Sequence, residues 1–198
     1  MIQNDEHEYV FVSTMKCGTH TMYELLKGLG GRRVGGFHTC DPRLIPLGYF
    51  VFTVCRNPFT RAVSIWWSTC VRDDRYRFRR FMPDWKSFEC FAECLLRFKN
   101  KPPHILLATQ TKWHGPVVFD RYLKLENLEP EFNALPFVQD HVVLPRLNTS
   151  TYKDYWEAYT PDAIEMVREW GKEDFEKFGY TTEFPHASSV VQQTEEEK

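Results

Sequence analysis

Lys16, Gly18, Thr19 and Thr21 stand close together in the stretch Phe11-Val12-Ser13-Thr14-Met15-Lys16-Cys17-Gly18-Thr19-His20-Thr21-Met22. These residue types suit an anion. The two hydroxyls donate, the ammonium neutralises charge, and a residue without a Cβ lets backbone N–H groups close on a ligand. A second group lies in Arg56-Asn57-Pro58-Phe59-Thr60-Arg61-Ala62-Val63-Ser64. A guanidinium offers a fork of donors that matches a phosphate. Arg61 and Ser64 are three residues apart, so on a helix they share a face and could reach one phosphate together.

The elements that must position these residues are readable on either side of them. The β-prone run Tyr9 to Val12 predicts a first strand over 9–14, and a helix is expected over 19–29. A loop between them sits at a helix N-terminus, where free N–H groups and the helix dipole attract anions. The loop is not a Walker A sequence, because its lysine precedes its only glycine. An ordinary strand–loop–helix with a surface lysine would account for it equally well. Tyr49 to Cys55 is a continuous apolar run that reads as a fully buried central strand. Arg56 then falls at its C-terminal end, where ligands bind in open α/β sheets. Asn57 as N-cap and Pro58 at the first helical position open a helix to about Cys70. The bland alternative there is a capped helix with two solvated arginines.

Val34 and Phe37 suggest a short second strand, and Val117 to Leu125 a later one. Helices are expected over Trp85 to Phe98, over Leu128 to Leu135, and from Thr160 to just before Gly179. The last carries a packing stripe of Ile164, Val167, Trp170 and Phe175. Strands alternating with helices predict an α/β domain with a mostly parallel sheet.

A chain of 198 residues with 42% hydrophobic content suits one domain, expected over 1–183, followed by a disordered polar tail over 184–198. The formal net charge of −2 gives no global attraction to nucleic acid, so any anion site must be local. The six cysteines contain no C-x-x-C pair, and Cys90 and Cys94 read as buried thiols rather than metal ligands. With no signal peptide and no membrane-spanning run, the expectation is a soluble, cytoplasmic protein. Arg72 to Arg80 reads either as a basic flap over an anionic ligand or as a salt-bridged surface segment, which is what charge runs ordinarily are.

Taken together, these motifs resemble the sulfotransferases that use 3′-phosphoadenosine 5′-phosphosulfate (PAPS), most closely the carbohydrate type. The family's loop of the form P-K-x-G-T-T corresponds to Met15-Lys16-Cys17-Gly18-Thr19-His20, and R-(D/N)-P-x-x-R-x-x-S is matched in full from Arg56 to Ser64. Tyr122 to Leu128 looks like a third family segment. Leu144-Pro145-Arg146-Leu147-Asn148 and Asp174 to Tyr180 resemble the C-terminal region. The loop departs from the family at Met15 and His20.

The resemblance implies a P-loop-like three-layer fold and roles for individual residues. Lys16, Cys17, Gly18, Thr19, His20 and Thr21 would hold the 5′-phosphosulfate, with Lys16 meeting charge on the bridging oxygen. Arg56 and Ser64 would hold the 3′-phosphate. His38, 18 residues before Arg56, is the expected general base toward an acceptor hydroxyl, with Asp41 in reserve. The acceptor is expected to be a carbohydrate, and no metal is expected. Glu126 is read as architectural. The competing readings are a P-loop-like nucleotide kinase and a non-catalytic nucleotide-binding module.

Overall fold

The computed structural model describes residues 1–36, 38–73, 75–144 and 155–185. In chain order the elements are β1 (Ile2–Asn4), β2 (Tyr9–Phe11), α1 (Thr19–Gly28), β3 (Arg32–Arg33), β4 (Phe50–Cys55) and α2 (Pro58–Trp66). They continue with α3 (Phe88–Arg97), α4 (Gln110–His114), β5 (Arg121–Lys124), α5 (Leu128–Asn133), α6 (Pro161–Trp170) and α7 (Lys172–Phe178). The protein is α/β. Its chain divides into two compact units, Met1–Asn57 with Gln110–Thr149, and Pro58–Thr109 with Ser150–Lys198.

The first unit holds a five-stranded sheet in the order β3-β1-β2-β4-β5. The pairs β2–β4 and β4–β5 are parallel, while β1 runs antiparallel to both β2 and β3. The sheet is therefore mixed rather than mostly parallel. The cause is an N-terminal hairpin that the acidic residues Asp5, Glu6 and Glu8 conceal in the sequence. Asn4 closes its turn, with Oδ1 accepting from the backbone N–H groups of Glu6 and His7, both at 2.9 Å. The short second strand forms at Arg32–Arg33 rather than at Val34. Phe37 lies outside the described residues.

Alternation along the strands supplies two cores. Tyr9, Phe11, Phe52 and Val54 face Met22 and Leu26 of α1 and Leu128 and Phe132 of α5. Val10, Val12 and Val51 face the other way, against Met1 and Val117 with Val34, Ile45 and Phe119 beside them. Both faces of β4 are thus covered, as a run apolar at every position but Thr53 requires.

The second unit is helical, with α6 against α3 and α2. Its C-terminal helix is not continuous: α6 and α7 are separate helices, joined at Gly171. A Cβ on Gly171 would come within 2.8 Å of the Pro58 Cβ, so close packing against the start of α2 requires a glycine at the junction. At its other end α2 runs into a π-type turn, Trp67–Val71. Arg79 caps that turn, donating from Nε to Thr69 O at 2.9 Å and from Nη2 to Cys70 O at 3.0 Å and to Asp73 O. The same guanidinium lies 4.3 Å from the Trp85 ring centroid. No helix among the described residues is long and apolar enough to cross a membrane. Of the expected tail, residues from 186 onward lie outside the described residues, as does 145–148 of the family-like C-terminal stretch.

Candidate functional site

The chemistry gathers in the first unit, at the C-terminal ends of the parallel strands β2, β4 and β5. Past β2 the chain turns through Lys16 and Gly18, both at φ +68°, in the left-handed region. A glycine takes this conformation freely; a lysine does so at a cost of roughly 1–2 kcal/mol. At Gly18 the same φ strains any replacement, and a Cβ there would sit 2.7 Å from Leu125 Cδ1, so that leucine would have to move as well. The loop is braced from within: the Cys17 N–H donates to Thr14 O at 3.2 Å, and the Thr19 hydroxyl donates to the same carbonyl at 2.9 Å. Lys16 and Gly18 are half-buried, Cys17, Thr19 and Thr21 are buried, and His20 is exposed at the start of α1.

Beneath the loop lies a buried polar network. Thr14 Oγ1 is 2.9 Å from Thr53 Oγ1 on β4 and 2.7 Å from His114 Nε2 on α4. Trp113 Nε1 donates to Ser13 O at 3.0 Å. These contacts tie the exit of β2 to α4 and leave the loop little freedom to shift.

Arg56 follows β4 directly and meets this loop, Nη1 donating to Lys16 O at 3.3 Å. Gln110 fixes the backbone there. Its Oε1 accepts from Arg56 N at 2.9 Å while its Nε2 donates to Arg56 O at 2.8 Å, a pairing like that of a neighbouring strand. The Cys17 thiol also lies 3.2 Å from Gln110 Oε1. One buried amide thus joins the two family-like motifs. We expect Gln110→Ala to lower stability by about 2–4 kcal/mol in urea unfolding, because it strips partners from both backbone groups of Arg56. A loss below about 0.5 kcal/mol, in the range of neutral surface changes, would show that the amide is dispensable.

Glu126, just beyond β5, accepts from the Asn57 N–H at 2.8 Å, an architectural contact at the sheet edge. His38 is exposed. Partial desolvation first, and then the charge of nearby His20, hold its pKa below the ordinary histidine value. Asp41 is committed elsewhere: it accepts from Arg43 N at 3.0 Å and pairs with the Arg43 guanidinium at 2.7 Å. Those hydrogen bonds hold its pKa below the usual carboxylate range, which makes it a poor base at neutral pH.

In the second unit Ser64 is half-buried on α2. Arg61, expected beside it on a phosphate, is instead fully buried. It donates from Nη1 to Ala108 O at 2.9 Å and lies 5.6 Å from the Trp170 ring centroid. It is a core strut, unavailable to a ligand from solvent. Sequence reasoning missed Gln110, His114, Thr14 and Thr53. The one hint was Thr53, the only hydroxyl in the apolar run from Phe50 to Cys55.

Among the described residues no cluster of three or more histidine, cysteine, aspartate or glutamate side chains could hold a metal ion. No protein-family model, curated protein or solved structure significantly matches this chain.

Proposed function

We propose that the chain is a sulfotransferase, moving a sulfuryl group from PAPS to an acceptor hydroxyl, with a carbohydrate as the acceptor class. The observation that carries this reading is the meeting of two motifs 40 residues apart in sequence. The Arg56 guanidinium sits on the Lys16 carbonyl, and Gln110 locks Arg56 to the Cys17 side of the loop. The left-handed Lys16 adds support, since strain of this kind collects at ligand sites. In this reading the sheet is the centre of a P-loop-like three-layer fold.

The donor set fits an anionic ligand: a lysine, an arginine and the N-terminus of α1 follow the C-terminal ends of β2 and β4. Lys16 and the loop amides would hold the phosphosulfate and keep its sulfur in line with the incoming oxygen. As the acceptor O–S bond forms and the bond from sulfur to the bridging oxygen breaks, Lys16 would meet the charge left on that oxygen. His38 would take the acceptor proton, and 3′-phosphoadenosine 5′-phosphate would leave.

Calorimetry tests the donor half of this reading. 3′-Phosphoadenosine 5′-phosphate is expected to bind saturably, and at least about tenfold more tightly than ATP, an advantage of 1.4 kcal/mol or more. Magnesium should not reverse that order. Tighter binding of ATP with magnesium would overturn the proposal in favour of a kinase.

A further inference from the structure

The segment from Val71 to Phe81 carries arginines at 72, 75, 77, 79 and 80, but the structure separates their uses. Arg79 is spent on the carbonyls of the π-type turn, and Arg75 pairs with Asp73 at 2.7 Å. Arg77 is exposed and lines an open concavity of about 510 Å³ with Arg75, Tyr76 and His104, all in the second unit. That volume falls within the range of small-ligand sites.

His104 decides what this concavity can bind. Its Nδ1 accepts from the Leu106 N–H at 3.2 Å, so the neutral ring carries its proton on Nε2. Tyr76 stands edge-on to the same ring, with centroids 5.5 Å apart, and Phe78 backs both. The aromatic trio and the Arg79 cap hold the lining residues in place. The Arg77 guanidinium, an imidazole N–H and a phenol supply donors to this lining, and Arg75 stands beside them with its fork engaged by the Asp73 carboxylate.

We infer that Arg75, Tyr76, Arg77 and His104 form an oxyanion-binding site in the second unit, suited to a sulfate or phosphate group on a small polar ligand. The inference does not depend on the sulfotransferase reading, because none of these residues belongs to the loop or to the Arg56 motif. Charge-assisted hydrogen bonds from a guanidinium favour an oxyanion over a neutral polar ligand.

The test is NMR on the full chain, following arginine Nε–Hε and histidine side-chain signals during titration with inorganic sulfate, with a 6-sulfated monosaccharide and with AMP. Saturable shifts at Arg77 and His104 are expected, and Arg77→Ala should weaken binding about tenfold or more. Arg80→Ala removes an exposed arginine outside the lining and should leave the affinity within about twofold, a change of only 0.4 kcal/mol. Non-saturating shifts, or equal losses in the two variants, would reduce the effect to general charge screening and overturn the site. Preference between the sugar sulfate and AMP identifies the scaffold. Thermal unfolding of each variant confirms that a loss of binding is not a loss of fold.

Discussion

Lys16→Met is expected to slow sulfuryl transfer by about 10²–10³-fold, the effect of removing one group that stabilises developing charge in a water-poor site. Methionine keeps the length of the chain stem and the same left-handed backbone cost. The variant therefore isolates the ammonium from the conformation. Lys16→Gly makes the complementary test. It relieves the φ of +68° and should leave folding stability unchanged, or raised by up to about 1 kcal/mol, while losing the same activity. The signature is a protein at least as stable as the parent and nearly inactive. It would show that the loop holds an unfavourable backbone because the lysine is needed there. Transfer from labelled PAPS to an acceptor panel measures the rate, and urea unfolding measures the stability. Undiminished turnover in Lys16→Met would remove Lys16 from the chemistry.

The strand β4 was legible because it is buried on both faces, so every position from Phe50 to Cys55 except Thr53 is apolar. The loop and Arg56 were legible for a related reason: special backbone and charge at the ends of strands leave their mark on residue type. The N-terminal hairpin was not, since β1 has three residues and a period of two cannot show itself over so short a span. The break at Gly171 was hidden because buried positions run on through it, at Val167, Trp170, Phe175 and Phe178. Spacing put Arg61 and Ser64 on one helical face correctly, but spacing does not say what that face meets. Arg61 met Trp170 and the Ala108 carbonyl instead of solvent. Gln110 was the least accessible to sequence reasoning. Its role is to imitate a neighbouring strand, which any buried amide could do, and only the fold shows that Arg56 and Cys17 are its partners.

His38→Ala is expected to reduce transfer by about 10²–10⁴-fold, the usual contribution of a positioned general base, while 3′-phosphoadenosine 5′-phosphate still binds. The pH dependence makes the test specific. A base works deprotonated, so kcat/KM should rise with pH through the His38 pKa and then level off. Desolvation and the neighbouring His20 charge both disfavour the imidazolium, so the midpoint should fall below the ordinary value of 6.5, leaving the base ready at neutral pH. His20→Ala removes the larger of two repulsive charges, the other being the N-terminal ammonium of Met1, and should move the midpoint upward, toward that value, without abolishing the limb. His38→Gln should abolish the limb altogether. Asp41 cannot substitute, because its carboxylate is already committed to Arg43. If the acid limb persists unchanged in His38→Gln, another group accepts the proton. If His20→Ala leaves the midpoint where it was, the two imidazoles are not electrostatically linked. An exposed histidine with a merely structural role would produce neither shift, so the two variants together separate a proton acceptor from a surface side chain.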